Sequence, residues 1–170
     1  MKVPAIAVVG AHNSGKTTFI ERVINILSEK GYNVVAVKHD PKGKAKTDTE
    51  GKDSWKMYNA GAKQVILASP GKITSYIRVE SEYTPEYILE NLVVGKPDII
   101  IFEGFKWFDG IDKFEVIRKE ENRELLTDIS KLKGVITDYY NFPKRFDINN
   151  PQEFVKYIEK EYIKRQRQED

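Results

Sequence analysis

The sequence predicts an α/β chain with a mostly parallel central sheet flanked by helices, on three observations. Short runs of β-branched residues alternate along the chain with longer stretches whose apolar residues recur at three- and four-residue steps. No internal repeat or low-complexity tract interrupts that alternation. Finally, Asp98-Ile99-Ile100-Ile101-Phe102 is apolar without a polar alternate, the pattern of a parallel strand covered on both faces.

Taken in order, the first run is Ile6-Ala7-Val8-Val9, ending on Gly10. From Lys16 onward Phe19, Ile20, Val23, Ile24, Ile26 and Leu27 keep helical spacing until Gly31 stops the helix. A second strand, Val34-Val35-Ala36-Val37, opens onto a polar stretch from His39 to Gly51 that reads as a long mobile loop; loops of that length in compact domains are usually functional. Asp53 to Ala60 is a short helix closed by Gly61. The strands Gln64 to Ala68 and Ile73 to Val79 follow, joined by the turn Ser69-Pro70-Gly71. Thr84-Pro85 opens another helix with a capping hydroxyl and a proline at the first helical position, with Tyr87, Ile88 and Leu92 as its buried face and Gly95-Lys96-Pro97 as its end. Beyond the apolar run, Phe114 to Arg118 and Gly134 to Thr137 are strands. A last helix runs from Pro151, capped by Asn150, with Phe154, Val155, Ile158 and Tyr162 inward. Residues 1–163 are expected to form a single domain and 164–170 a charged, frayed tail.

Composition sets the bounds. A chain of 170 residues with 40% apolar content can bury one core without staples. Its 28 basic and 26 acidic residues nearly cancel, so no global field attracts a polyanion; nucleic acid is not an expected partner and any anion binding must be local. The absence of cysteine excludes a disulfide framework, a thiol nucleophile and thiolate metal ligation. The apolar run after Met1 is too short for a signal peptide, and no stretch approaches the ~18 residues of a membrane span, so a soluble cytoplasmic protein without a membrane partner is expected. A charged share of 32% with only two methionines is compatible with a high-temperature source.

The chemistry lies in Gly10-Ala11-His12-Asn13-Ser14-Gly15-Lys16-Thr17, which has the spacing glycine, four residues, glycine, lysine, hydroxyl, between a strand and a helix. The glycines let the backbone curl so that successive N–H groups, those of His12, Asn13 and Ser14 included, point inward, and the helix beginning near Lys16 adds its unpaired N–H groups and positive dipole end. This is a P-loop, and it specifies the α/β class as a three-layer P-loop NTPase fold. In this reading Lys16 reaches the β- and γ-phosphates, the Thr17 hydroxyl is one ligand of a magnesium ion, and Thr18 contacts the α-phosphate. Glu103 closes the apolar strand at the carboxyl edge of the sheet, where a carboxylate ligates magnesium or orients one of its waters; the plain alternative is a solvated strand-end acid. Asp48-Thr49-Glu50-Gly51-Lys52-Asp53-Ser54 reads equally as a segment sensing magnesium and γ-phosphate or as solvated loop and helix-cap chemistry. Lys38 and His39 follow the second strand on the same edge, with a surface basic pair as the plain reading. The chain lacks the Asn/Thr-Lys-x-Asp guanine motif of GTPases, but Thr137-Asp138 ends a strand where such a contact can originate, making Asp138 a candidate reader of guanine.

Together these residues resemble the molybdopterin-guanine dinucleotide biosynthesis protein B (MobB) family of P-loop proteins, related to the SIMIBI class of nucleotidases. The resemblance rests on Val8 through Thr18, Val37-Lys38-His39, Asp48 with Gly51-Lys52-Asp53-Ser54, Ala60-Gly61-Ala62, Ile101-Phe102-Glu103-Gly104-Phe105-Lys106 and Thr137-Asp138, and it covers most of the chain. Members of that family often carry further histidines after the Lys-His pair and a proline before Gly-Lys-Asp-Ser; here Asp40-Pro41-Lys42 and Glu50 stand in those places. The resemblance implies a GTP-binding, weakly hydrolysing homodimer that uses Mg2+ and assists attachment of GMP to molybdopterin by binding molybdopterin guanylyltransferase and other molybdenum cofactor enzymes. It also strengthens Asp48 as a metal residue and Asp53 and Glu103, with Lys16, as catalytic ones. Two other readings stand beside this one: a small-molecule kinase transferring the γ-phosphoryl group to an acceptor near Asp53 and Lys38, and a nucleotide-gated scaffold without meaningful hydrolysis.

Overall fold

A computed structural model describes residues 3–80, 83–139 and 141–165. Its elements in chain order are β1 (Ala5–Gly10), α1 (Lys16–Glu29), β2 (Val34–Lys38), α2 (Asp53–Asn59), β3 (Gln64–Ser69), β4 (Lys72–Ile77), α3 (Pro85–Asn91), β5 (Ile99–Glu103), β6 (Asp112–Ile117), β7 (Leu132–Thr137), β8 (Arg145–Asp147) and α4 (Gln152–Ile158), the last running on into π-helical turns over Glu159–Lys164. The chain separates into two compact units, one built from residues up to His39 and from Leu89 onward, the other from Asp40 to Ile88.

In the first unit six strands form one sheet in the order β2-β5-β1-β6-β7-β8, and every neighbouring pair is parallel. The predicted α/β class is thus borne out. The unbroken apolar run becomes β5, buried at Ile99, Ile100, Ile101 and Phe102, between β2 and β1. One face of the sheet, through Ile6, Val8, Ile99, Ile101, Phe114, Val116 and Ile136, packs against Phe19, Ile20, Val23 and Leu27 of α1 and Phe154, Val155 and Ile158 of α4. Those α1 residues are the ones whose three- and four-residue spacing marked the helix, because that spacing keeps them on one face. Gly31, at φ 81°, lets the chain leave α1 while its N–H bonds Ser28 O at 2.9 Å. The rings of Phe19, Phe114, Phe146 and Phe154 meet edge-on at centroid distances of 5.0 to 5.9 Å. Each buried phenylalanine contributes about 1.5–3 kcal/mol, and each edge-to-face pair adds roughly 0.5–1.5 kcal/mol.

Three local expectations differ from the structure. Strand β8 has no sequence signature because only Phe146 of its three residues is apolar; it forms because Phe146 buries against Phe114 and Phe154 and pairs opposite Ile136. In α3, Pro85 and Ile88 are buried while Tyr87 and Leu92 are exposed. Strand β4 ends at Ile77, short of the exposed Val79. Residues 166–170 of the expected charged tail lie outside the described residues.

In the second unit β3 and β4 form an antiparallel hairpin registered from Gln64↔Ile77 to Ser69↔Lys72, turning at Pro70-Gly71, where Gly71 takes φ 74°. Val65 is buried on one face, whereas Ile66, Ala68 and Ile73 share the other and are exposed, Ile66 at 60% and Ile73 at 72%. The segment between His39 and Asp53 carries no helix or strand, as expected. Among the described residues no helix is long and apolar enough to cross a membrane.

Candidate functional site

Strand β1 has β5 on one side and β6 on the other, and the chain leaves it through α1 toward β2, so the carboxyl edge of β1 opens at a reversal of strand order. Crevices at such switch points are where open parallel sheets bind ligands. Gly10 stands at the mouth with φ 145°, and a Cβ there would lie 2.5 Å from Val116 O of β6, so only glycine lets the loop leave this strand. Asn13 at φ 61° and Gly15 at φ 90° complete the curl, and the buried Ser14 donates its N–H to Ala11 O at 3.4 Å. Helix α1 starts from Gly15 with no side-chain cap and no acid in its first turn, which leaves its N–H groups and positive end facing the loop. His12, Asn13 and Thr18 are exposed on this rim.

The half-buried Lys16 folds back so that Nζ donates to Ala11 O and, at 3.5 Å, to Ser14 Oγ. Burial holds its ammonium below the usual lysine range; Glu103 pulls the other way and Lys38 adds to the lowering. Thr17 Oγ1 donates to both carboxylate oxygens of Glu103, at 3.0 and 2.9 Å. Lys38 Nζ lies 2.6 Å from Glu103 Oε1 and 3.5 Å from Thr17 Oγ1. The register explains the meeting: Glu103 of β5 is opposite Val8 of β1 on one side and Lys38 of β2 on the other. Gly104 at φ 97° then lets His39 approach, its Cβ position being 3.0 Å from His39 Cβ, and the buried Phe105 stacks on the His39 ring at 4.5 Å. The Glu-Gly-Phe motif is therefore one acid aimed at the loop, one residue without a side chain, and one anchor.

Whether these residues suit magnesium can be judged from Lys38. Its ammonium touches both Thr17 Oγ1 and Glu103 Oε1, so two hard oxygens already face one cation position beside the phosphate loop. That donor set fits magnesium, which keeps most of its waters and takes one or two protein oxygens plus phosphate. Among the described residues no group of three or more acidic or histidine side chains gathers as a cation cage.

Asp138, just past β7, accepts from Lys119 N–H at 2.8 Å and lies 3.6 Å from Arg118 Nε. Its neighbour Tyr139 lines an open cavity of about 410 Å³ together with Arg123, Glu124, Thr127 and Phe142. Sequence reasoning passed over what shapes this side of the crevice. Glu115 is fully buried in β6, where its carboxylate accepts from Leu126 and Thr127 N–H and from Arg123 Nη1 at 2.8, 2.9 and 3.0 Å. Arg123 is held further by Glu121 Oε2 at 2.7 Å and Val116 O at 3.0 Å. The available signal was a glutamate inside the apolar run Phe114 to Ile117, because a carboxylate is buried there only with partners.

The remaining candidates belong to the second unit. Asp48 Oδ1 accepts from Thr49 N–H at 2.8 Å and from the Ser54 hydroxyl at 3.1 Å, tying the end of the loop to the start of α2. Asp53 is the first residue of α2, exposed, with Lys56 3.6 Å away. Lys16, Thr17 and Glu103 are thus brought together within the first unit, and Lys38, expected on this edge with a surface basic pair as its plain reading, joins them through Glu103.

A family model described as molybdopterin guanine dinucleotide synthesis protein B matches residues 5–138. The molybdopterin-guanine dinucleotide biosynthesis adapter protein of Haemophilus influenzae is 30% identical over 160 residues, 93% of this chain and 89% of the relative. A crystal structure of molybdopterin-guanine biosynthesis protein B superposes with a TM-score of 0.71 at 31% identity, covering 91% of this chain and 95% of the other. The Bacillus subtilis MobB crystal structure gives 0.69 at 29% identity over the same shares.

Proposed function

The chain belongs to the molybdopterin guanine dinucleotide synthesis protein B family, and on that premise we propose that it is a GTP-dependent adapter of molybdenum cofactor biosynthesis. It binds GTP with Mg2+ at Gly10 to Thr18, hydrolyses it slowly, and works in the cytoplasm as a homodimer on molybdopterin guanylyltransferase and other enzymes of the pathway.

The observation that carries this reading is the convergence of Lys16, Thr17 and Glu103 on the uncapped start of α1. Lys16 gives up its bonds to the loop and neutralises phosphate charge, while the loop N–H groups orient the triphosphate. Thr17 and Glu103 would hold the magnesium ion, which when bound supplies charge stabilisation between the β- and γ-phosphates. Slow turnover is supported by three arginines of this unit being committed elsewhere: Arg123 to Glu115 and Glu121, Arg22 to Ile148 O and Asn149 O, and Arg118 to Glu120 and Asp138. The cavity beyond Asp138 offers the base a wall of Tyr139 and Phe142, whose rings meet at 5.4 Å, and Asp138 still has lone pairs free for a guanine edge. A homodimer is supported by the exposed Ile66, Ala68 and Ile73 face, since a two-stranded hairpin is marginal without a partner.

Calorimetric titration with GTP and ATP, with and without magnesium, tests the reading. Magnesium-strengthened GTP binding accompanied by slow phosphate release is expected. Rapid consumption of nucleotide with one small acceptor, found in an acceptor screen, would replace the adapter by a kinase.

A further inference from the structure

Lys38 has two structural features that a solvated basic pair does not explain. Its ammonium bridges both oxygens assigned to the divalent ion, at 2.6 Å from Glu103 Oε1 and 3.5 Å from Thr17 Oγ1. Yet its side chain is 63% exposed, so the ammonium can move into water on its flexible stem at little cost. Glu103 itself is fixed, with its backbone paired to β1 and β2 and its side chain held by Thr17. An ammonium and a divalent cation cannot share this position, because like charges a few ångströms apart repel even in water.

We propose that Lys38 is an internal cation that competes with the divalent ion for Thr17 and Glu103. It is a positioning residue: in the nucleotide-free chain it keeps the carboxylate neutralised and aimed into the crevice, and it is expelled when metal enters with nucleotide. Metal loading and departure of the Lys38 ammonium from Glu103 are then one event, while the backbone at the end of β2 stays paired to β5. Since Lys38 leads directly into the segment from His39, the charge at the root of that segment reports whether the site is loaded. The proposal rests on the nucleotide reading above and adds to it a competitor built into the chain.

The test is a titration of Mn2+ into the full-length chain in the presence of GDP, free Mn2+ being followed by electron paramagnetic resonance. Wild type, Lys38→Met, Lys38→Arg and Glu103→Gln are compared. Expelling a competing ammonium from so exposed a pair should cost about two- to fivefold in affinity, so Lys38→Met is expected to bind Mn2+ about two- to fivefold tighter while Lys38→Arg stays near wild type. A merely structural ion pair predicts the contrary: lower thermal stability in Lys38→Met with Mn2+ affinity unchanged or weaker, and that result overturns the proposal. If wild type binds Mn2+ no better than Glu103→Gln, the metal and nucleotide reading fails at its root, and Lys38 falls with it.

Discussion

Replacing Lys16 by methionine should weaken GTP binding and, at the same time, leave the nucleotide-free chain about as stable. In the structure the ammonium makes a bond to Ala11 O and a long one to Ser14 Oγ, together worth about 1 kcal/mol net. On the triphosphate it would exchange these for charge-assisted bonds of about 1.5–3 kcal/mol each, so two such bonds leave a net gain of about 2–5 kcal/mol. That corresponds to roughly 30- to 5,000-fold in Kd. The other half of the prediction follows from the lowered ammonium pKa, caused first by burial and then opposed by Glu103 and reinforced by Lys38. A lysine whose folded pKa lies below its unfolded value binds its proton less tightly in the native state. The charge therefore costs stability at and below the lowered pKa, and stability rises as pH climbs from there toward the ordinary lysine range. Lys16→Met should remove that rise and hold thermal stability close to wild type at pH 7, the ~1 kcal/mol of lost bonds being offset by the charge no longer buried. Calorimetry with Mg-GTP and thermal melts between pH 7 and 10 measure both halves. A variant that binds GTP as tightly as wild type, or that melts several degrees lower without nucleotide, refutes the assignment of Lys16 as a charge held at some cost for phosphate.

Three further outcomes follow from the same geometry. Glu115→Gln keeps the shape but strips the charge facing Arg123 and turns its NH2 toward a backbone N–H, that of Thr127 if its oxygen stays on Arg123 and Leu126, so a loss of about 3–5 kcal/mol is expected in the unfolding free energy from urea denaturation; a change below about 1 kcal/mol would contradict the buried pairing. Asp138→Asn should cut the preference for GTP over ATP by roughly 10- to 100-fold in competition binding, the value of one charged hydrogen bond, and an unchanged preference removes Asp138 as the guanine reader. The double change Ile66→Glu and Ile73→Glu should shift the chain to monomer in sedimentation experiments without altering its fold; a dimer that persists places the interface elsewhere.

The parts of the fold legible in the sequence were those in which local pattern and tertiary role coincide. The glycine spacing of the phosphate loop, the helical stripe from Phe19 to Leu27 and the apolar β5 each state their geometry in one stretch of chain. Strand β8 was illegible because its reason for existing, Phe146 against Phe114 and Phe154, lies across the sheet. The site divides in the same way. Lys16 and Thr17 declare themselves by motif, and Glu103 by its place at a strand end. Lys38 does not, since its role depends on β5 lying between β2 and β1, a strand order that no local pattern encodes. Glu115 and Arg123 were hidden for a related reason, as their importance lies in burial and mutual pairing.

The charge balance at the crevice explains why this edge suits a triphosphate. Lys16, Lys38 and the bare start of α1 all bring positive potential to one place, and Glu103 is the carboxylate that answers them there. Lys16 is also half-buried, and burial first, with Lys38 adding to it against Glu103, holds its ammonium below the usual lysine range. A triphosphate would relieve that positive potential by meeting Lys16 and the loop N–H groups. Thr17 and Glu103 would then hold its accompanying divalent ion, which would free Lys38 and leave the site neutralised by ligand instead of by the chain's own side chains. On this argument GDP without metal should bind with Lys38 still on Glu103, and the metal, more than the nucleotide alone, is what separates the two states of the adapter.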